Sequence, residues 1–279
     1  MRRLLQQTSL QRGLPPFNGG LVLGCAREIL LTPASQAQKR ESEFSTLSRL
    51  FSVTLDWRFD KVDPASIRRD GLPPSLVENP CQSRAQFYGL SAGGLPVVVD
   101  QGSNWFSAIN ECRRLGMSPS DFAMTRVYWH ERCCETAAKY HQQGRGNGQF
   151  IHVIDFGDLA GLSFNTLYNQ FPYIKTSIVD ISLNYGGTAR RIYIARPPKI
   201  FHIGYTMLKP FLPDKTKYKI LVLPARNPQK LEDYGIAAGN DPLCKMAPDS
   251  LPPLLGGTVE APLEPMYDIG PSRAPPVQF

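Results

Sequence analysis

The sequence lacks the long apolar segments that membrane proteins and secreted precursors carry. No stretch approaches the roughly 18 consecutive apolar residues of a membrane-spanning helix. The amino terminus has no apolar core of the signal-peptide kind, although it carries four arginines and no acidic residue before Glu28. We therefore expect a cytoplasmic protein, with organellar targeting as the weaker alternative.

A disulfide framework is also missing. The chain has six cysteines, of which Cys133 and Cys134 are adjacent, and no two form a CxxC pair. Scattered cysteines of this kind are not typical of small secreted scaffolds. The pattern favours a reducing compartment.

Metal-ligand clusters are sparse as well. His130, Cys134 and His141 share one arc of a predicted helix, but His141 lies about 10 Å beyond Cys134 along the axis. A metal ion needs three or four ligands that converge on a point. Val127 and Ala138 lie on the same arc and mark it as a buried face. We expect neither a metal site nor a cofactor.

Phosphate-binding loops are absent, since neither GxxxxGK[ST] nor a GxGxxG between a strand and a helix occurs. One catalytic pattern is present: residues 89–93 (GLSAG) match GxSxG, the nucleophile elbow of α/β-hydrolases. That elbow needs a helix after the serine. Here Gly94, Pro96 and an apolar run follow Ser91, which favours a hairpin turn. An α/β-hydrolase that uses Ser91 remains the alternative of a different class.

What is present is an alternation of strands and helices. Three β-rich apolar runs predict strands at Phe150–Phe156, Arg191–Arg196 and Lys217–Leu223, and the segments between them are long enough for helical crossovers. Such an order predicts an α/β fold with a largely parallel sheet. Residues 87–100, with Gly93-Gly94 at the turn, predict a hairpin before it.

Helix signals complete the expected layout. Predicted helices cover residues 104–115, 118–143, 165–184 with a break at Pro172, and 227–236. We expect four regions: a disordered or targeting segment (1–20), a small helical lobe (21–75), the α/β domain (76–259) and a proline-rich disordered tail (260–279).

Two further features bear on partners. Residues 151–227 hold ten Lys/Arg against four Asp, a formal charge of +6, which suits either an anionic membrane surface or a merely solvated face. The aromatic interleaving that stacks bases is not evident, so no nucleic acid is expected. Residues 198–212 are apolar on more than one side. They form either a helix buried in a large core or a lid over an apolar pocket.

Several blocks together resemble the CRAL-TRIO lipid-transfer family. In order, they are residues 158–163 (DLAGLS), 184–194, 209–212 (KPFL), 219–220, 251–252 and 256–257, with residues 56–58 (DWR) like the end of the family's helical lobe. The resemblance covers residues 40–258. It implies a small helical lobe and an α/β domain whose sheet is the floor of a hydrophobic pocket, covered by a mobile gate helix at residues 201–212.

The same resemblance implies a function: non-catalytic binding of one lipid and its transfer between membranes by a peripheral, monomeric protein. The ligand would be a phospholipid, a phosphoinositide or another hydrophobic molecule. A scaffold with the same fold and no ligand is a further alternative. The implied lipid-binding residues are Val153, Asp155, Ile194, Phe201, Tyr205, Met207, Leu208, Phe211, Leu212, Lys219 and Leu221.

Some family positions differ in this chain. Val153 and Asp155 stand where inositol-lipid binders of the family have hydroxyl side chains, and Gly187 stands where many members have an acidic residue. Lys219 matches the family's strand lysine. The resemblance therefore leaves phosphoinositide binding open, and an anionic Asp155 would need a neutralising base.

Overall fold

The computed structural model describes Trp57 and residues 85–265, except residues 158, 160, 186 and 227. The predicted leader, the predicted tail beyond residue 265, and the predicted helical lobe apart from Trp57 lie outside these described residues. Within them a six-stranded sheet has the order β5-β4-β3-β2-β1-β6. Its strands are β1 (Gln86–Leu90), β2 (Pro96–Gln101), β3 (Phe150–Asp155), β4 (Ala189–Ala195), β5 (Ile220–Val222) and β6 (Glu264–Pro265).

The sheet is largely parallel, as predicted. Strands β2, β3, β4 and β5 pair in parallel, whereas β1 pairs antiparallel with both β2 and β6. The predicted hairpin is confirmed as β1 and β2, and Gly94 in its turn has a φ of 76°, which a residue with a Cβ rarely adopts. The α/β class with a sheet flanked by helices is therefore confirmed.

Six α-helices are described: α1 (Gly102–Arg114), α2 (Pro119–Gln142), α3 (Phe164–Asn184), α4 (Phe201–Leu208), α5 (Asp214–Lys219) and α6 (Leu231–Ala238). Short 3-10 turns follow at Lys209–Phe211, Pro242–Cys244, Pro248–Ser250 and Pro253–Leu255. Among the described residues, no helix combines the length and apolar character needed to cross a bilayer.

The beginning of α2 follows from its sequence. The Ser118 hydroxyl accepts a hydrogen bond from the Asp121 N–H at 3.2 Å, and the Asp121 carboxylate accepts one from the Ser118 N–H at 2.8 Å. This reciprocal capping box satisfies two amide groups that the first turn leaves unpaired, and Pro119 needs no partner there. The helix start predicted at Ser118 is confirmed.

Two predicted elements differ from those observed. Helix α3 runs through Pro172 without a break, because the proline lies on its exposed side, where water can replace the lost hydrogen bond. The strand predicted over Lys217–Leu223 is wrong in its first half. There α5 continues to Lys219, supported by a Lys217–Asp214 ion pair of 2.9 Å, and only Ile220–Val222 join the sheet.

The bounds of two other helices also shift. The apolar helix predicted over residues 201–212 ends at Leu208 and continues as a 3-10 turn, since Pro210 has no N–H to extend the α-helix. The last predicted helix begins at Leu231, four residues later than predicted.

Opposite faces of the sheet carry different layers. Side chains of Val98, His152, Ile154 and Ile194 point to what we call the helical face, which packs against α1, α2 and α3. Alternate residues point to the C-terminal face, which packs against α6 and the 3-10 turns that follow it. They include Val97, Val99, Ile151, Val153, Tyr193 and Leu221.

Candidate functional site

Helix α4 lies over the helical face of the sheet. Ile200 and Phe201, at its start, pack on a buried cluster formed by Trp105, Phe106, Ile154, Leu167 and Ile194. Gly204 lets α4 approach α3 closely, because a Cβ at this position would lie 3.2 Å from Leu167 Cδ2. The helix is therefore held at one end by an aromatic residue and in its middle by a close contact with α3.

Around this cluster, inward-facing apolar side chains remain partly accessible to solvent. We call the group the isoleucine cleft; it consists of Ile174 and Ile178 on α3, Ile192 on β4, Ile200 before α4, and Ile220 on β5. Strand β4 has β3 on one side and β5 on the other, so Ile192 would be fully buried if helices sealed the face above it. Its partial exposure indicates a cleft between the sheet, α3 and α4.

Aromatic rings line the α4 side of the isoleucine cleft. The Phe201 ring lies 5.6 Å from the Phe156 ring and stacks on Tyr205 at 5.9 Å between centroids. At the other end of the segment, Leu208 and Leu212 are buried. The segment thus has aromatic contacts at its start and two buried leucines at its end.

A buried ion pair lies where the chain enters this segment. Arg196 Nε donates to Asp155 Oδ1 at 2.7 Å, its Nη2 donates to Oδ2, and the Gly157 N–H donates to Oδ1 at 3.0 Å. A side chain at Gly157 would overlap the guanidinium group. Arg196 itself has a φ of 47°, in the left-handed region. The pair joins the ends of β3 and β4 directly before the turn into α4.

Three of the predicted site residues lie on or beside the cleft. Ile194 is buried in its floor, and Phe201 and Tyr205 lie on its α4 side. The remaining members of the segment, Met207, Leu208, Phe211 and Leu212, range from buried to exposed. Phe211 is exposed, and Lys175 Nζ lies 3.9 Å from the centre of its ring.

Three predicted site residues need correction, whereas Asp155 has the neutralising base that it was expected to need. Val153 and Leu221 pack on the C-terminal face, away from the cleft. Asp155 is neutralised by Arg196. Lys219 is the last residue of α5 and not a strand residue.

Other cleft residues went unrecognised in the sequence. Ile192 could have been found from Ile194, since side chains two apart on a strand share a face. Ile174 and Ile178 occur at helical spacing within a predicted helix, which gives no sign of which neighbour they face. A buried polar group on the same sheet face, formed by Asp100, Arg126 and His152, also carried no local signal.

Ser91 does not have the setting of a nucleophile. Its hydroxyl donates to the Leu243 carbonyl oxygen at 2.7 Å and accepts from the Leu95 N–H at 3.1 Å. The residue is buried in the hairpin turn, and strand β2 follows it where a hydrolase elbow has a helix. The hydroxyl is a structural link between the hairpin and the C-terminal segment. In the described part of the chain, no group of three potential metal ligands comes together.

The fold and the cleft define a class of α/β binding domain, in which a mostly parallel sheet is the floor and a short apolar helix is the cover. Residues 105–236 match the family model of the CRAL/TRIO domain. This match confirms, for residues 105–236, the resemblance seen in the sequence.

Individual relatives agree with this assignment. The CRAL-TRIO domain-containing protein YKL091C of Saccharomyces cerevisiae is 33% identical over 123 residues, which are 42% of this chain and 36% of the yeast protein. The match thus spans about a third of that relative's length. The crystal structure of Sfh5 superimposes with a TM-score of 0.52 at 17% identity, over 77% of this chain and 74% of that one. This second likeness concerns the fold alone.

Proposed function

We propose that this protein binds a single hydrophobic molecule in the isoleucine cleft and transfers it between membranes, with α4 as the gate and without covalent chemistry. The observation that carries the proposal is the partial exposure of apolar side chains that face the sheet beneath α4, above all Ile192. The CRAL/TRIO match supports lipid as the class of ligand.

The chemistry of the cleft suits an acyl or isoprenoid chain. Its lining is aliphatic and aromatic, and each CH₂ group transferred from water into such a lining gains about 0.8 kcal/mol. A chain of ordinary length is then retained firmly, provided that water stays excluded. Release requires α4 to move, since α4 and the turn after it cover this part of the sheet.

The outer surface of the gate suits contact with a membrane. Ile203 and Phe211 are 49% and 44% exposed although they are large apolar residues. Lys209 is exposed beside Phe211, and Lys175 lies over the Phe211 ring. Apolar side chains surrounded by lysines favour an anionic bilayer surface, where the apolar groups insert and each lysine adds about 1 kcal/mol.

The test begins with the purified protein. Mass spectrometry of organic extracts identifies any co-purified lipid, and a fluorescence assay follows transfer of that lipid class between donor and acceptor liposomes. The informative variant is Ile178→Trp, which fills the cleft from the α3 side. Its matched control is Ile236→Trp, because Ile236 is 78% exposed on α6, on the other side of the sheet.

We expect Ile178→Trp to lose lipid occupancy and transfer, while Ile236→Trp keeps both and both variants unfold cooperatively. Absence of lipid from the wild-type protein, together with no transfer from any liposome composition, would favour the scaffold alternative. Equal transfer by the two variants would show that the ligand lies elsewhere.

A further inference from the structure

A buried polar group interrupts the helical face of the sheet beside the isoleucine cleft. Asp100 and Arg126 are 0% and 1% exposed. Arg126 Nη2 donates to Asp100 Oδ2 at 2.8 Å, and Trp105 Nε1 donates to the same oxygen at 2.5 Å. His152 Nε2 lies 3.7 Å from this oxygen. One carboxylate oxygen thus gathers an arginine, an indole and an imidazole.

The guanidinium group of Arg126 lies between two indole rings. Its Cζ is 4.2 Å from the centre of the Trp105 ring and 4.5 Å from that of Trp129. Both faces of the guanidinium are therefore covered, and it can form hydrogen bonds only at its edges. One edge position, Nη2, is used by Asp100.

Three buried N–H groups here have no acceptor among the described residues. They are Nε and Nη1 of Arg126 and Nε1 of Trp129. Buried donors in folded proteins are nearly always paired, because leaving one unpaired forfeits its hydrogen bonds with water. Arg126 and Trp129 lie three positions apart on α2, and each of their three donors requires an oxygen acceptor.

The register of the sheet places Asp100 two strands and His152 one strand away from β4, which carries the floor of the cleft. Asp100 is aligned with Ile154 on β3, and Ile154 with Ile194 on β4. His152 is aligned in the same way with Ile192, a member of the isoleucine cleft. Trp105 belongs to the apolar cluster on which the gate rests. The same sheet face is thus polar near β2 and aliphatic toward β5.

The charges of the group favour an uncharged acceptor. Asp100 and Arg126 cancel each other. Burial lowers the pKa of His152, so its ring is neutral near pH 7. A phosphate bound here would bring an unbalanced negative charge into a buried site, which is unfavourable. A carbonyl or ester oxygen would accept the same hydrogen bonds without that penalty.

We propose that Arg126 and Trp129 hold the polar end of the ligand, and that this ligand is a neutral lipid with a carbonyl or ester oxygen near one end. The inference rests on the proposed function and narrows its ligand class. It also separates the polar contact from the positions of Val153, Asp155 and Lys219, where a family headgroup site was expected.

The test compares two probes that share their acyl chains and differ in one phosphate: fluorescent diacylglycerol and fluorescent phosphatidate, offered in phosphatidylcholine liposomes. Two variants remove donors and keep the packing. Arg126→Lys keeps a positive charge for Asp100, and Trp129→Phe keeps an aromatic ring over residue 126. The control is Arg132→Lys on the same helix, where the arginine pairs with Glu135.

We expect the wild-type protein to take up diacylglycerol in preference to phosphatidate. Each donor variant should bind diacylglycerol about fivefold more weakly, the loss expected for one hydrogen bond, with phosphatidate uptake unchanged. The control should match the wild type. If Arg126→Lys fails to fold, the diacylglycerol affinity of Trp129→Phe alone tests the inference.

Preference for phosphatidate, or unchanged diacylglycerol affinity in a folded donor variant, would overturn this inference and leave the proposed function intact. Uptake of neither probe by the wild-type protein would also overturn this inference, whereas the proposed function fails only if, in addition, no lipid co-purifies and no liposome composition supports transfer. The two failures are therefore distinguishable.

Discussion

Arg196 neutralises Asp155 through a two-point ion pair that joins the carboxyl ends of two neighbouring parallel strands. The pair is buried and directly precedes the turn into α4. It fixes the point from which α4 departs, so the proposed movement of α4 would begin beyond Arg196 and leave the sheet in place.

Replacing one partner of this pair should cost stability. We expect Arg196→Met to lower the free energy of unfolding by about 3–5 kcal/mol, because it leaves the buried Asp155 carboxylate without a counter-charge. Urea unfolding measures the effect, and adding Asp155→Asn should restore part of it. The control is Lys217→Met, whose ion-pair partner Asp214 is almost fully exposed; that change should cost under about 1 kcal/mol. Equal losses in both variants would contradict the role of the pair.

Gly204 should set how easily the gate moves. Gly204→Ala raises helix propensity by about 1 kcal/mol and adds a methyl group against Leu167. We expect about fivefold faster lipid exchange between liposomes, because a Cβ 3.2 Å from Leu167 Cδ2 overpacks the contact between α3 and α4, and this cost exceeds the gain in helix propensity. Gly235→Ala is the matched control, because Gly235 lies in another eight-residue helix with open space around it. Equally fast exchange in both variants would argue against α4 as the moving element.

Much of the sheet could be predicted because its signals are local. The hairpin turn at Gly93-Gly94, the Ser118 cap and the apolar runs of β3 and β4 each act within a few residues. The side of the sheet on which the cleft lies has no such signal. Both faces of a parallel strand are buried, so residues 150–155 are apolar almost throughout, and alternation could not tell Val153 from Ile154.

The buried ion pairs could not be predicted from the sequence because their partners lie far apart in the chain. Asp155 and Arg196 are 41 positions apart, and Asp100 and Arg126 are 26 apart. In the sequence each is an ordinary charged residue, and only the fold brings the partners together. The segment Lys217–Leu223 shows the opposite case. Its β-rich composition predicted a strand. In the structure its first three residues instead end the helix α5, in which Lys217 pairs with Asp214.

Loss of the Ser91 hydroxyl should affect stability and not activity. We expect Ser91→Ala to lower the free energy of unfolding by about 1–3 kcal/mol, because the Leu95 N–H and the Leu243 carbonyl lose a buried partner. Ser107→Ala, an exposed change on α1, should have almost no effect. Lipid transfer should persist in both variants. Hydrolysis of a p-nitrophenyl ester by the wild type that disappears in Ser91→Ala would instead support the hydrolase alternative.

His152 should make the protein less stable in mild acid. Burial lowers its pKa from 6.5, and the contact with Asp100 offsets this only in part. Below about pH 6.5 the unfolded chain therefore binds a proton that the folded protein does not, so the free energy of unfolding falls as the pH decreases. Urea midpoints at pH 7.5 and 5.5 measure the slope. His152→Gln should flatten it, whatever its effect on absolute stability, and the exposed His202→Gln should not. An unchanged slope in His152→Gln would mean that other groups cause the acid sensitivity.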